Sequence, residues 1–131
     1  MRHALAAVLG LVALVGCAAE PNTPSVTAPP GPSTTFATID DLLERVGERY
    51  RAGDRAEAAE LAATAYLDNY EHLEDEVDAA DHELNETLER LLGTELRARI
   101  RARARPSEID ALLRRASTLL ARAKRAVLRA G

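Results

Sequence analysis

Apolar residues recur three and four apart along most of this chain. Ala59, Ala62, Tyr66, Tyr70, Leu73, Val77, Ala80 and Leu84 fall close to one line when successive residues turn by about 100°, as on the core-facing seam of a helix. The same spacing occurs before and after it: Ile39, Leu42, Leu43, Val46 and Tyr50; then Leu84, Leu88, Leu91, Leu92 and Leu96; then Ile109, Leu112, Leu113, Ala116, Leu120, Ala123 and Val127. Between Arg97 and Arg105 arginines alternate with Ala and Ile in a strand-like rhythm, but the Ala content and the leucine stripe running into it favour helix.

Punctuation places the boundaries. The first helix is expected to start near Asp40, capped by Thr38 or Asp40, and to end at Gly53. There Gly can supply a left-handed cap and Asp54 can accept from the next helix's first amides. A break near Asp78–Asp81 separates the second helix from a third over Asp81–Ala104. Pro106 stops that helix, and Ser107, with Asp110 three residues on, caps the fourth. Four helices joined by short turns predict an all-α, up-and-down four-helix bundle over residues 38–131.

The amino-terminal third has no such period. Arg2 precedes an apolar run from Ala4 to Val15, too short for a membrane span, which takes about 20 residues. Residues 1–16 therefore read as an export signal peptide. Leu14-Val15-Gly16-Cys17 resembles the lipobox of bacterial lipoproteins, which implies cleavage before Cys17 and a diacylglycerol on its sulfur. The other reading is an ordinary signal with an incidental cysteine. Cys17 is the only cysteine, so no intrachain disulfide is available to it. Residues 17–37 carry Pro21, Pro24, Pro29, Pro30 and Pro32 among Ser, Thr and Ala. Such a linker cannot form a core and would hold the domain off an extracytoplasmic membrane surface, with a reach on the order of 60 Å.

Composition agrees with helix: no Trp, one Phe and three Tyr in 131 residues. The net charge of −4 conceals a division. Residues 54–89 hold 13 acids against one base, whereas residues 90–131 hold 3 acids against 12 bases. The two halves are expected to pack or steer against each other. The arginine-rich part could also meet anionic lipid headgroups, and export argues against nucleic acid.

Candidate chemistry concentrates between Ala65 and Glu76. Glu71 and Glu74 lie one turn apart on the flank of the seam, where two carboxylates can converge on a hard cation with help from a second helix. Glu95, in the middle of the third helix's apolar face, or Glu89, could supply that help. A carboxylate at Glu95's position is otherwise satisfied by an arginine or sits at an open bundle end. In so acidic a span, pairs such as Glu57/Glu60, Glu83/Glu86 and Glu86/Glu89 arise by chance, so a solvated acidic face is the plain alternative. His72 stands four residues from Asp68 and Glu76, and His82 four from Asp78 and Glu86. Such trios can bind iron, copper or zinc, yet both histidines fall off the core line. No nucleophile elbow, HExxH or phosphate loop occurs, so no enzyme is expected.

Three segments together resemble the soluble amino-terminal domain of bacterial oxidase-coupled high-affinity iron permeases: Tyr50-Arg-Ala-Gly-Asp54, Ala65-Tyr-Leu-Asp-Asn-Tyr70-Glu-His-Leu-Glu74, and Leu88-Glu-Arg-Leu-Leu-Gly-Thr-Glu-Leu-Arg97. The likeness spans about residues 38–129. It implies an extracytoplasmic accessory of iron uptake, carrying iron or a similar divalent cation on Glu71 and Glu74, with a membrane iron permease as partner. The permease's own Arg-Glu-x-x-Glu signature is absent, and His72 is outside the family pattern. Leu43, Gly47, Tyr50 and Ala59 also resemble a single tetratricopeptide repeat, which implies a partner-binding or structural lipoprotein without a metal role. Tyr66 stands where that repeat takes a small residue, and no second copy follows.

Overall fold

The computed structural model describes residues 30–131. The expected signal peptide, the expected lipidation at Cys17 and the expected linker up to residue 29 lie outside the described residues. Within them the chain is helical with no strand: α1 (Pro32–Arg51), α2 (Arg55–Leu67), a 3₁₀ turn (Tyr70–His72), α3 (Glu74–Ala80), α4 (His82–Leu88), a π-helical stretch (Glu89–Leu96), α5 (Arg97–Arg101) and α6 (Pro106–Ala130). Because α4, the π stretch and α5 continue into one another with helical dihedrals, they form a single rod. Five rods therefore stand where four were expected.

Helix α1 begins at Pro32, well before the expected Asp40, and takes in part of the expected linker. Proline suits a first turn, where its missing N–H has no intrahelical partner to lose. Thr35 and Phe36 are already buried one turn later, so packing extends the helix backwards. The turn into α2 matches expectation. Gly53 takes φ 88°, its amide donates to the Tyr50 carbonyl and the Asp54 amide to that of Arg49, and the Asp54 carboxylate accepts from the Glu57 amide at 3.1 Å.

The second seam does not run straight. At its end Asn69 turns back, its side-chain amide donating to the Thr64 carbonyl at 2.9 Å, and α2 stops one residue short of Asp68. The 3₁₀ turn then re-aims the chain so that Tyr70, Leu73 and Val77 still reach the core. The break expected near Asp78–Asp81 is present: Asp81 is extended and its carboxylate caps α4 by accepting from the Leu84 amide at 3.1 Å. That bond, helped by Arg122, holds Asp81 below the ordinary carboxylate value.

At α6 the cap falls two residues earlier than expected. Pro106 occupies the first helical position and forces Arg105 into extended backbone, so the Glu108 carboxylate accepts from the Arg105 amide at 2.9 Å in place of a Ser107–Asp110 box. Helix α6 packs against α1, α3, α4 and the π stretch, and α2 packs against α1, the π stretch and α5. The shared core includes Phe36, Ile39, Tyr70, Leu88, Ile109 and Leu120. Truncating one of its leucines or isoleucines to Ala costs about 2–5 kcal/mol.

Of the described residues, only Asp81 and Arg122, at 2.7 Å, form an ion pair between the acidic and basic halves. No helix of the described residues is long and apolar enough to cross a membrane.

Candidate functional site

The site grows from the bend between α2 and α3. Tyr66, near the end of α2, and Tyr70, in the 3₁₀ turn, have ring centroids 6.1 Å apart and planes inclined by 21°. Tyr70 is fully buried, so its hydroxyl needs a partner, and it donates to Asn85 Oδ1 on α4 at 2.7 Å. The buried Asn85 passes the connection on, its Nδ2 donating to Glu89 Oε1 at 2.9 Å. Both ends of the amide are thus satisfied, and the direction of each bond is fixed by Glu89 being an acceptor. Tyr66, only half-buried, donates its hydroxyl to Glu74 Oε1 at 3.0 Å. Two tyrosines on one bend therefore hold two carboxylates from two other elements.

The electrostatics follow. Partial burial, then the charges of Glu89 and Glu71, raise the Glu74 carboxyl above its ordinary 4.5, with the Tyr66 hydrogen bond pulling the other way. Burial, the hydrogen bond to Glu74 and the surrounding carboxylates push the Tyr66 hydroxyl up to about 12. Tyr70 is raised further by its deeper burial and the same acids. Both phenols are consequently neutral donors near pH 7, and the oxygens on offer to a cation are carboxylates. Glu71, Glu74 and Glu89 take part in no ion pair within the described residues. Arg90, with Tyr66, Glu86 and Glu89, lines an open groove of about 480 Å³ beside them, beyond ion-pair distance of any carboxylate.

The π-helical stretch shapes this groove. Its i→i+5 bonding winds more loosely than an α-helix, and such stretches are frequent at functional sites. Gly93, in its middle, sits directly under Tyr66: a Cβ there would lie 2.9 Å from the ring's Cζ. Leu88, Leu92, Leu96 and Ile100 stay buried at a constant spacing of four. Glu95 was expected to join Glu71 and Glu74 unless an arginine satisfied it; its carboxylate lies 3.8 Å from Arg115 on α6. Glu89, the other acid considered beside Glu95, is near enough for its charge to raise Glu74.

Among the described residues no three His, Cys, Asp or Glu side chains come together closely enough to hold a metal ion. Glu74 and Glu89 with Glu71 nearby are a crowded acidic edge, not a closed cage. His72, Asp68 and Glu76 line a separate 450 Å³ pocket with Pro30 and Pro32. His82 lies between Asp78 at 2.6 Å and Glu86 at 3.6 Å on an exposed face, and its bond to Asp78 raises its pKa above 6.5. Asn85 and Gly93 were not singled out from the sequence. Asn85 could have been found as a polar residue beside Leu84 on a buried seam with an acid four residues on.

No family model, curated protein or solved structure matches this chain. The likeness to the iron permease domain rests on the residues quoted for it alone.

Proposed function

We propose that this chain is an extracytoplasmic helical lipoprotein, tethered through Cys17, that is accessory to the uptake of iron or a similar cation by a membrane permease. Its four long rods are read as an up-and-down bundle with α3 as an inserted turn. Glu71, Glu74 and Glu89 are where the cation is met. One observation carries this reading: three carboxylates crowd the Tyr66–Tyr70 edge with no cation of the protein's own in ion-pair reach, so their mutual repulsion favours a positive charge from outside. An ion held there keeps water or takes further ligands from the permease, since the edge is open.

Calorimetric titration with Fe²⁺ under anaerobic conditions, and with Zn²⁺, tests it. Binding tighter than about millimolar is expected, abolished in Glu71→Gln/Glu74→Gln and retained in Glu95→Gln. No heat, or the same affinity in the double variant, overturns it.

A second reading, a partner-binding lipoprotein without a metal role, is favoured by the hydrogen bonds that already occupy Glu74 and Glu89. In that case the edge is a rigid acidic surface for a basic partner. A silent titration together with salt-sensitive binding of a basic peptide that is lost in the same double variant would select it.

A further inference from the structure

The far end of the molecule is built from the α1–α2 and α5–α6 turns, laid side by side. The Tyr50 hydroxyl donates to the Ala104 carbonyl at 2.5 Å, and Arg51 reaches Asp110 at 2.8 Å. From Arg97 to Arg105 there are five arginines and no acid. Arg99, Arg101 and Arg103 are exposed and belong to no ion pair among the described residues. Arg55 adds a further guanidinium, 5.8 Å above the Tyr50 ring. Several carboxylates at this end are already engaged: Glu57 and Asp110 pair with Arg49 and Arg51, Asp54 caps α2, and Glu108 is lowered by its bond to the Arg105 amide and then by the Arg105 and Arg99 charges.

Arg103 is unusual in its backbone. It has φ 57°, the only positive value at a non-glycine position among the described residues. It closes α5 in the manner of a Schellman turn, its amide donating to the Ile100 carbonyl at 3.1 Å and the Ala104 amide to that of Arg99 at 3.1 Å. Gly53 fills the equivalent position in the neighbouring turn without steric cost. A side chain in this left-handed conformation carries a backbone cost that glycine would not, and such costs recur where the side chain is used.

We propose that this arginine-rich end docks on the phosphate plane of an anionic phospholipid bilayer. All five positions are arginine and none is lysine, as suits bidentate contact with phosphate oxygens. The end is also separated from the acids. Pro30 and Pro32, where the chain enters the domain, share a pocket with Asp68 and Glu76, and α1, about 30 Å long, leads from there to the arginine turn. A proline-rich stretch as long as that from Cys17 to Pro32 would, at about 3.1 Å per residue, reach roughly 45 Å, more than the length of α1. An anionic surface thus attracts one end, repels the other and leaves the Tyr66 edge facing outward. The orientation rests on the tethered reading above; the lipid contact does not, nor does it rest on the cation site.

Binding of the full chain to vesicles of phosphatidylcholine alone, and of phosphatidylcholine mixed with phosphatidylglycerol, provides the test, because neutral vesicles report whatever residues 1–29 contribute. The anionic lipid is expected to strengthen binding, and Arg99→Gln/Arg101→Gln/Arg103→Gln to remove that gain, by roughly fivefold per arginine and on the order of a hundredfold in all. Neutral-vesicle binding and the circular dichroism spectrum should be unchanged. Arg103→Gly is expected to melt higher than the parent while losing only its single share of the gain. Equal binding to both vesicle types, or a gain that survives in the triple variant, overturns the proposal. Displacement by millimolar glycerophosphate would reveal a single-phosphate pocket, and equal binding to soluble polyglutamate an indiscriminate polyanion face; either also overturns it.

Discussion

Gly93→Ala probes the candidate site through packing alone, without touching a charge. The added Cβ would stand 2.9 Å from Tyr66 Cζ and 3.0 Å from Cε1. Ordinary carbon contacts lie near 3.5 Å or beyond, so the ring must retreat by about 0.5 Å. It is not free to do so, being stacked on the buried Tyr70 and bonded to Glu74 at 3.0 Å. Overpacking of this kind costs about 1–3 kcal/mol, and alanine's better helix propensity returns about 1 kcal/mol. The net expectation is a loss of about 1 kcal/mol, or about 5 °C in melting temperature for a domain of this size. Thermal melts of Gly93→Ala, Tyr66→Ala and the double variant complete a cycle. With the ring gone, the same Gly93→Ala change should stabilise by about 0.5–1 kcal/mol. If it destabilises equally in the Tyr66→Ala background, the clash with Tyr66 is not the cause and the role given to Gly93 fails.

Two further outcomes follow from the hydrogen-bond chain. Tyr70→Phe leaves Asn85 Oδ1 buried without its donor and should cost about 1–3 kcal/mol, whereas Tyr70→Phe/Asn85→Leu should recover part of it; urea melts in which the double variant is the less stable contradict this. Glu74 is raised in the folded state, so its contribution to stability is full below its unfolded value near 4.5 and is lost as pH rises through the raised folded value. Glu74→Gln keeps an acceptor for Tyr66 and escapes that loss, so its melting-temperature advantage over the parent should grow between about pH 4 and pH 7; an advantage that shrinks over that range refutes the assignment.

How much of this was legible in the sequence differs from element to element. The helical class was, because a 3.6-residue apolar period repeated four times has no other use in so short a chain. Gly53–Asp54 and the break at Asp81 were legible because each depends on a local residue type, a glycine at positive φ and an aspartate that caps. The start at Pro32 was hidden by composition: proline and threonine read as linker, and only the burial of Phe36 makes them helix. The bend at Asn69 was hidden by the seam itself, since the 3₁₀ turn restores the phase it interrupts. At the site, Glu71 and Glu74 were read as neighbours on one helical flank, whereas they stand in different elements, the 3₁₀ turn and the first turn of α3. The third acid could not be read. An α-helical wheel sets Glu95 among the leucines, but Glu89–Leu96 winds as a π-helix and Glu95 lies beside Arg115, while Glu89 accepts from Asn85. Periodicity likewise shows that Tyr66 and Tyr70 face inward, but not which acceptor each hydroxyl finds.

The central claim is that the carboxylates around Tyr66 await a positive charge from outside the chain. Substoichiometric Mn²⁺ added to the isotopically labelled protein, with amide line broadening followed residue by residue, tests it most directly. Signals of Glu71, Glu74 and Glu89 should broaden first and together, and Glu71→Gln/Glu74→Gln should abolish the effect. Broadening spread evenly over all the acids of residues 54–89, or centred on His72 or Glu95, would contradict it.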